Sequence, residues 1–340
     1  MISTGILIKK ILAATQYHFK ILQSKLHAVP LDHGIILTYH RVLSKDKITR
    51  LIEPGMYVTD DTFAKHVACL KDNFEIVSLR DLYSCLKGEE RNTNDKPFCA
   101  ITFDDGWVDF FVYAFPILKK HKTPSTVFLP TSFIGSEKIF WTDRLAHLLS
   151  SMHSGNSSIT FKNPLFNKMA GLRGSFAQKF EQSVQLLKNY DYLEIEHILK
   201  ELSTLLGIQE INLPRSFLNW DEVRGMAKTE LVSFGSHTVN HAILTKLNDT
   251  DIIYELEASK DKLVAEGAVD PEFIAFCYPN GNYNRKIREL VMRTGYKLSV
   301  TTDCGWVSKN MNLFTLKRIG LHQDISSSSS LLLYRFLKLL

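Results

Sequence analysis

Short apolar runs alternate with amphipathic helical patterns along most of this chain of 340 residues. Such alternation is typical of repeated β-α units, in which helices cover a parallel sheet. The pattern predicts strands in two series, at 34–39, 74–78, 98–103 and 125–130 and then at 231–236, 273–279, 296–302 and 313–319. The chain is therefore expected to have an α/β fold.

The alternation stops between residues 136 and 215, where the pattern is mainly helical. We interpret that stretch as a helical insertion in the α/β domain. The serine run at 326–330 predicts a flexible linker to a short tail. The expected parts are an N-terminal amphipathic segment at 1–33, the two parts of the α/β domain at 34–135 and 216–325, the insertion at 136–215, and the linker and tail at 326–340.

The composition argues against a nucleic-acid partner and against a disulfide framework. The 41 basic and 36 acidic residues leave a formal net charge of +5, and no dense basic run with interleaved aromatic residues occurs. Nucleic acid is therefore not expected as a partner. The five cysteines are scattered without a Cys-x-x-Cys pair, which favours reduced structural thiols over a disulfide framework.

Both ends of the chain, at 5–29 and 331–340, mix apolar residues with basic ones at near-helical spacing. Each end either makes peripheral contact with a membrane or packs as a helix on the barrel, and both interpretations stay open. Lys9 and Lys10 follow the first apolar residues, an order that argues against a secretory signal. The expected location is the cytoplasm, with the inner face of the membrane as the site of any peripheral contact.

Two adjacent carboxylates follow the predicted strand 98–103. Asp104 and Asp105, with Gly106, form a turn at the carboxyl end of that strand, which is where α/β barrels place catalytic groups. Adjacent carboxylates repel each other, so a bound cation is one way to stabilise them. A solvated turn that caps a helix explains the triplet equally well, and the motif alone does not decide between the two.

Histidines follow two other predicted strands. His237 and His241 come after the strand 231–236, and a tight loop or one helical turn would bring both imidazoles close enough to share a metal. Two histidines and one carboxylate leave a position open for water, as in a catalytic zinc site. His40 follows the strand 34–39; a lone histidine is more often structural, but this one shares the strand-end position.

Together, the first two motifs resemble the signature pair of the polysaccharide deacetylase family, the NodB-homology domain. The motifs that carry the resemblance are TFDDG at 102–106, HTVNH at 237–241 and, more loosely, FCYPNG at 276–281, RIGLH at 318–322 and LTYHRV at 37–42. The last of these resembles family members whose motif order is circularly permuted. The resemblance covers residues 34–135 and 216–322, and it implies a distorted (β/α)7 barrel with a mainly helical insertion.

The resemblance also implies a divalent ion in the barrel mouth and roles for the strand-end residues. The expected metal ligands are Asp105, His237 and His241. Zn²⁺ suits this ligand set best, and Fe, Co or Ni are the alternatives. Asp104 is expected to act as the general base.

The sequence departs from the family pattern at positions that support these roles. Cys277 stands where the family has an arginine beside the catalytic aspartate, so Arg318 is expected to replace it from a neighbouring strand. His40 is the expected general acid, as in permuted members. His322 is the alternative, and it comes second because its motif matches the family pattern poorly. The residues expected to bind substrate or its oxyanion are Asn280, Tyr278 and Trp306.

The sequence therefore predicts a metal-dependent enzyme that hydrolyses the N-acetyl amide of an N-acetylhexosamine in a polysaccharide or a lipid-linked glycan. Each residue type answers a chemical need, because water is a poor nucleophile and an amine must be protonated before it leaves. Two alternatives stay open. The same site would suit a formyl or cyclic amide, and a barrel that lacks the arginine at 277 would suit glycan binding without catalysis.

Overall fold

The computed structural model describes residues 4–49, 51–53, 55–89, 95–154, 161–190, 192–208 and 215–340. The chain divides into two compact units. The first comprises Met1–Lys45, Tyr57–Ser136 and Phe217–Leu340, and the second comprises Asp46–Met56 and Glu137–Ser216. The second unit thus adds Asp46–Met56, which the sequence pattern did not single out, to the helical stretch.

The first unit is built on a curled sheet of mostly parallel strands, as predicted. The strands are β1 (His33–Tyr39), β2 (Arg41–Leu43), β3 (Tyr57–Thr59), β4 (Glu75–Ile76), β5 (Phe98–Phe103), β6 (Ser125–Leu129), β7 (Val232–Ser236), β8 (Ala275–Cys277), β9 (Leu298–Val300), β10 (Val307–Ser308) and β11 (Ile319–Gly320). The main sheet has the order β10-β1-β5-β6-β7-β8-β9, with β4 beside β5 and β11 beside β1. Its parallel neighbours form a curled half-barrel, which agrees with the distorted (β/α)7 barrel that the resemblance implied.

One set of helices belongs to the first unit with the sheet, and a separate set forms the second unit. Those of the first unit are α1 (Thr4–His18), α2 (Ile21–His27), α3 (Asp60–Asn73), α4 (Leu79–Lys87), α5 (Phe115–His121), α10 (Trp220–Ala227), α11 (Asp249–Ala265), α12 (Arg285–Arg293), α13 (Gln323–Ser326) and α14 (Ser329–Leu337). The helices of the second unit are α6 (Trp141–Ser154), α7 (Pro164–Ala170), α8 (Phe176–Leu187) and α9 (Tyr192–Leu205). The second unit has a hydrophobic core of its own. None of the described helices has the length and apolarity needed to cross a bilayer.

The burial of the strands explains why apolar runs in the sequence predicted their positions. All six residues of β5 are buried, and so are six of the seven residues of β1. A parallel sheet that is covered on both faces requires continuous apolar runs, which is the pattern that the sequence displays. The predicted strand 313–319 is shorter than expected. It is reduced to β11 and an isolated bridge between Leu316 and Val300, which links this segment to β9.

The carboxyl-terminal segment belongs to the core. Leu331, Leu332, Leu333 and Phe336 of α14 are buried, and α14 packs against α1 and α2. The serine run forms helix ends where a flexible linker was predicted: the Ser328 hydroxyl accepts a hydrogen bond from the first turn of α14. The tail therefore packs on the barrel, which leaves these four residues unavailable for membrane contact.

Gly235 of β7 offers a test of how tightly the sheet is packed. A Cβ at this position would lie 2.7 Å from the Phe128 ring and 2.8 Å from the Ala275 carbonyl oxygen. We expect Gly235→Ala to lower the free energy of unfolding by about 1–3 kcal/mol, because the neighbouring strands cannot yield. The measurement is the midpoint of urea unfolding, followed by circular dichroism.

The matched control for that substitution is Gly225→Ala. Gly225 lies inside α10, and a Cβ there would meet no atom within 4 Å. This variant is expected to be as stable as the parent or more stable by up to about 1 kcal/mol, because alanine favours helix. Equal unfolding midpoints for the two variants would contradict the packing described for β7.

Candidate active site

Three of the predicted residues converge at the carboxyl ends of the strands. Asp105 follows β5, and His237 and His241 follow β7. The Asp105 Oδ1 atom lies 3.5 Å from His237 Nε2 and 3.3 Å from His241 Nε2. One ligand atom from each residue lies within 4.8 Å of the others. This spacing is compatible with a shared metal ion.

The hydrogen bonds around these three residues fit a bound cation. His237 Nδ1 lies 2.8 Å from the carbonyl oxygen of Cys277. A carbonyl only accepts, so Nδ1 carries a proton, and in the neutral imidazole that binds a metal Nε2 would present a lone pair to Asp105 Oδ1. That Oδ1 atom is buried and has no hydrogen-bond donor among the described residues. Two facing acceptors repel each other unless a cation lies between them, so these residues suit the metal that the family resemblance implies.

The charge state of Asp105 supports the same conclusion. Burial opposes ionisation of this carboxyl group, but the neighbouring His237 and His241 hold its pKa well below the usual range. Asp105 is therefore an anion at neutral pH. A buried anion flanked by two imidazoles is a set of ligands that suits a divalent transition metal.

Trp107 orients the Asp105 carboxylate. Its indole N–H donates a hydrogen bond of 3.1 Å to Asp105 Oδ2, which leaves Oδ1 directed at the histidines. The indole ring lies between the Arg41 guanidinium, 4.3 Å from its centroid, and the stacked Phe217 ring at 4.8 Å. Arg41 is in turn held by Asp109 through a hydrogen bond of 2.7 Å. Trp107 is buried, so it supports the predicted ligand Asp105 and has no exposed face for a sugar.

Arg318 holds Asp104, as was expected from the absence of the family's arginine at position 277. Arg318 donates two hydrogen bonds of 2.7 Å, one to each carboxylate oxygen of Asp104. Arg318 is buried, and it also donates to the Thr301 carbonyl oxygen at 2.9 Å. Its Nη2 atom lies 3.2 Å from Cys277 Sγ, so the small thiol leaves room for the guanidinium. Burial would raise the pKa of Asp104, but the Arg318 charge lowers it, which keeps Asp104 ionised.

The two candidate acid histidines occupy different surroundings. His40, between β1 and β2, has its Nε2 atom 4.0 Å from Asp104 Oδ2 and keeps 29% of its side chain exposed. His322, just before α13, has its Nδ1 atom 3.6 Å from Asp324 Oδ2. Burial lowers the pKa of His322, although Asp324 partly opposes that shift. His40 therefore lies beside the predicted base. The distance supports the same histidine that the sequence motif favoured.

Two of the three predicted substrate-binding residues need correction. Tyr278 is fully buried, and its hydroxyl donates to the Phe314 carbonyl oxygen at 3.1 Å. Trp306 is 6% exposed, and its indole N–H donates to the Phe336 carbonyl oxygen at 2.9 Å. Neither ring has a free face for a sugar. Asn280 lies in an exposed turn with φ of 55°, and its role in binding the oxyanion stays a prediction.

Sequence reasoning missed the residue that holds the histidine loop. The Glu255 carboxylate of α11 accepts hydrogen bonds from the backbone N–H groups of Val239 and Asn240 at 2.7 and 2.9 Å. It also accepts one from the Asn240 side chain at 2.8 Å. The same loop contains left-handed backbone at Thr238 and His241, with φ of 66° and 55°. Such backbone is unfavourable without glycine, so Glu255 stabilises a strained loop.

A signal for Glu255 was present in the sequence. The residue is buried beside Leu256 on the apolar side of α11, where a carboxylate is unexpected. A charged residue at such a position requires a set of buried donors. The sequence did not reveal which loop supplies those donors.

Comparison with known proteins agrees with the fold. The polysaccharide deacetylase family model matches residues 91–299, which is more than half of the chain. The chain therefore belongs to the polysaccharide deacetylase family, and its class is that of hydrolases that deacetylate glycans.

Individual relatives are similar to this chain at low identity. The poly-beta-1,6-N-acetyl-D-glucosamine N-deacetylase of Staphylococcus epidermidis is 25% identical over 212 residues, which are 58% of this chain and 70% of the relative. The structure of the Streptococcus pyogenes deacetylase PplD in complex with acetate is 23% identical, with a TM-score of 0.58 over 89% of this chain and 98% of that chain. IcaB from Ammonifex degensii is 16% identical, with a TM-score of 0.56 over 88% and 96%. The two structures show a shared fold.

Replacement of Glu255 tests how far the metal site depends on the loop that it holds. In Glu255→Gln, the amide oxygen can still accept from the two backbone N–H groups, but the amide NH2 group meets the Asn240 side-chain donor and the negative charge is lost, so the loop that carries His241 is expected to shift. We expect affinity for Zn²⁺ to fall by about 10- to 100-fold, the usual effect of losing an outer partner of a metal ligand. Competition with a chromogenic chelator measures this affinity.

The control is Glu257→Gln, which changes an exposed glutamate on the same helix. It is expected to leave Zn²⁺ affinity unchanged. Circular dichroism checks that both variants are folded. An unaltered Zn²⁺ affinity in folded Glu255→Gln would show that the loop keeps its conformation without the carboxylate.

Proposed function

We propose that this protein is a metal-dependent N-deacetylase that releases acetate from an N-acetylhexosamine in a polysaccharide or a lipid-linked glycan. The observation that carries the proposal is an ionised Asp104, held by Arg318 beside a three-ligand site. The Staphylococcus epidermidis relative deacetylates poly-β-1,6-N-acetyl-D-glucosamine. Oligomers of β-1,6-linked N-acetylglucosamine are therefore the first substrate to test.

Asp105, His237 and His241 would hold the metal, for which Zn²⁺ is the preferred candidate. When bound, such an ion polarises an amide carbonyl and lowers the pKa of water from 15.7 to about 7. The residues of the chain supply the remaining requirements. Trp107 and the Cys277 carbonyl group fix the orientation of two of the three ligands.

Asp104 is the proposed general base. The guanidinium of Arg318 keeps this carboxylate ionised in a buried setting, so it can take a proton from the attacking water. His40 is the proposed general acid, because its Nε2 atom lies near Asp104 and its side chain is partly exposed at the mouth. The leaving amine must be protonated as the carbon–nitrogen bond breaks. The Asn280 backbone N–H is the proposed donor to the oxyanion.

The contact between Arg318 and Asp104 bears on the non-catalytic alternative. That alternative was favoured by the cysteine at position 277, where family members have an arginine. The bidentate contact of Arg318 with Asp104 supports the catalytic interpretation, in which Arg318, just before β11, would fill the arginine's function. The cytoplasmic location stays a prediction, which cell fractionation of the intact protein would test.

Replacement of the proposed base tests the mechanism. Asp104→Asn keeps the size of the side chain but removes the acceptor for the water proton. We expect acetate release from N-acetylglucosamine oligomers to fall by about 10²- to 10⁴-fold, with the metal content of the purified protein retained. Enzymatic determination of acetate and elemental analysis provide the two measurements.

The controls for this experiment separate base, metal and substrate. Asp261→Asn changes an exposed aspartate of α11 and should leave both measurements unchanged. A chelator should abolish acetate release by the parent protein, and added Zn²⁺ should restore it. Full activity in Asp104→Asn would refute the assignment of the base. Release of formate from N-formyl substrates, without acetate from N-acetyl ones, would change the substrate class.

The identity of the general acid is tested by a pair of histidine variants. We expect His40→Gln to reduce acetate release by about 10²-fold or more, because His40 is the proposed proton donor to the leaving amine. His322→Gln should reduce it by less than about 10-fold, because burial already disfavours its protonated form. Steady-state kinetics of both variants on the same oligomer measure this difference. The reverse order of effects would assign the acid to His322.

A further inference from the structure

The first helix exposes an apolar stripe to solvent. Ile8, Ile11 and Leu12 of α1 are 60%, 58% and 43% exposed, and Phe19, in the turn that follows, is 69% exposed. The Phe19 N–H still bonds to the Thr15 carbonyl oxygen, so this residue keeps the helical register. Positions separated by three, four and eleven residues lie on one face of a helix.

The opposite side of α1 is already used. Ala13 is buried, and α1 packs against α14 and α2. The exposed stripe therefore does not result from a helix that has lost its core contact. A surface helix in contact with a core usually presents polar residues to solvent. The apolar residues on the solvent side of α1 are therefore not explained by packing within the fold.

The charged side chains of the segment that carries the stripe have a single sign. The first 31 residues contain four lysines and no aspartate or glutamate, although the chain as a whole has 36 acidic residues. The lysines are Lys9, Lys10, Lys20 and Lys25. The adjoining α14 adds Arg335, and Lys338 follows it; residues 325–340 contain no carboxylate side chain. The neighbouring exposed apolar residues are Ile21, Leu31 and Leu340.

Apolar and basic groups together indicate what covers this face. An anionic phospholipid surface takes apolar side chains into its headgroup boundary and attracts lysines electrostatically. A second copy of this chain would bring an equally basic face against the first, and like charges oppose that association. The chemistry of the face thus favours lipid over self-association.

We propose that α1 and the turn after it dock the protein peripherally on an anionic phospholipid membrane. The stripe of Ile8, Ile11, Leu12 and Phe19 enters the headgroup boundary, and the lysines contact lipid phosphates. This interaction requires no membrane-spanning helix. It is independent of the deacetylase chemistry, because it uses none of the residues of the candidate active site.

Vesicle flotation of the full chain tests the proposal. The probes are vesicles of phosphatidylcholine alone and of phosphatidylcholine mixed with phosphatidylglycerol. The protein is expected to float with the anionic vesicles, and added salt should weaken this binding because lysine contacts are screened. In Ile11→Ser/Phe19→Ser, the partition coefficient should fall on the order of 10-fold or more, since two large apolar side chains are removed.

The control is Tyr254→Ser/Met292→Ser, which changes two residues that are 57% and 51% exposed on other helices. It should float like the parent, and both double variants should keep the parent's circular dichroism and acetate release from a soluble oligomer. Equal binding of the parent and Ile11→Ser/Phe19→Ser would overturn the proposal. So would equal flotation with neutral and anionic vesicles, or a parent dimer in sedimentation that the stripe variant converts to monomer.

Discussion

The paired hydrogen bonds between Arg318 and Asp104 are the interaction on which the rest of the site depends. A buried carboxylate without a partner becomes protonated, and a buried guanidinium without an acceptor is strongly destabilising. Asp104 follows β5, and Arg318 immediately precedes β11, with β1 between these two strands. The pair therefore connects the last strand to the middle of the sheet while it fixes the charge of the predicted base. One contact serves both the fold and the chemistry.

The strand-end motifs could be predicted because a parallel sheet has simple geometry. Its strands are buried on both faces and give continuous apolar runs, and their carboxyl ends lie on one edge. For that reason the sequence located β5 at its observed bounds, and it anticipated that Asp105, His237 and His241 converge. The sequence also predicted that Arg318 takes the role of the arginine that family members have at position 277, because adjacent strand ends bring such groups together.

The remaining features depend on contacts that no local pattern encodes. Tyr278 lies within a predicted motif and Trp306 lies ahead of another, but whether an aromatic ring faces the mouth or the core is decided by its partners, here Phe314 and Phe336. Glu255 acts on a loop that precedes its own helix, and its role appears only when the donors are known. The tail illustrates the same limit, since its leucines were compatible with lipid until their packing was seen.

Asp105 and His237 are separated by more than a third of the chain, although β5 and β7 have only β6 between them. The second unit, with its own core, occupies most of that interval. The entropy lost when two distant chain segments meet grows with the logarithm of the intervening length, and each doubling costs only about 0.6 kcal/mol. The connection from β6 to α10 is therefore a point at which evolution can lengthen or shorten the polypeptide with little penalty to the assembly of the ligand cluster.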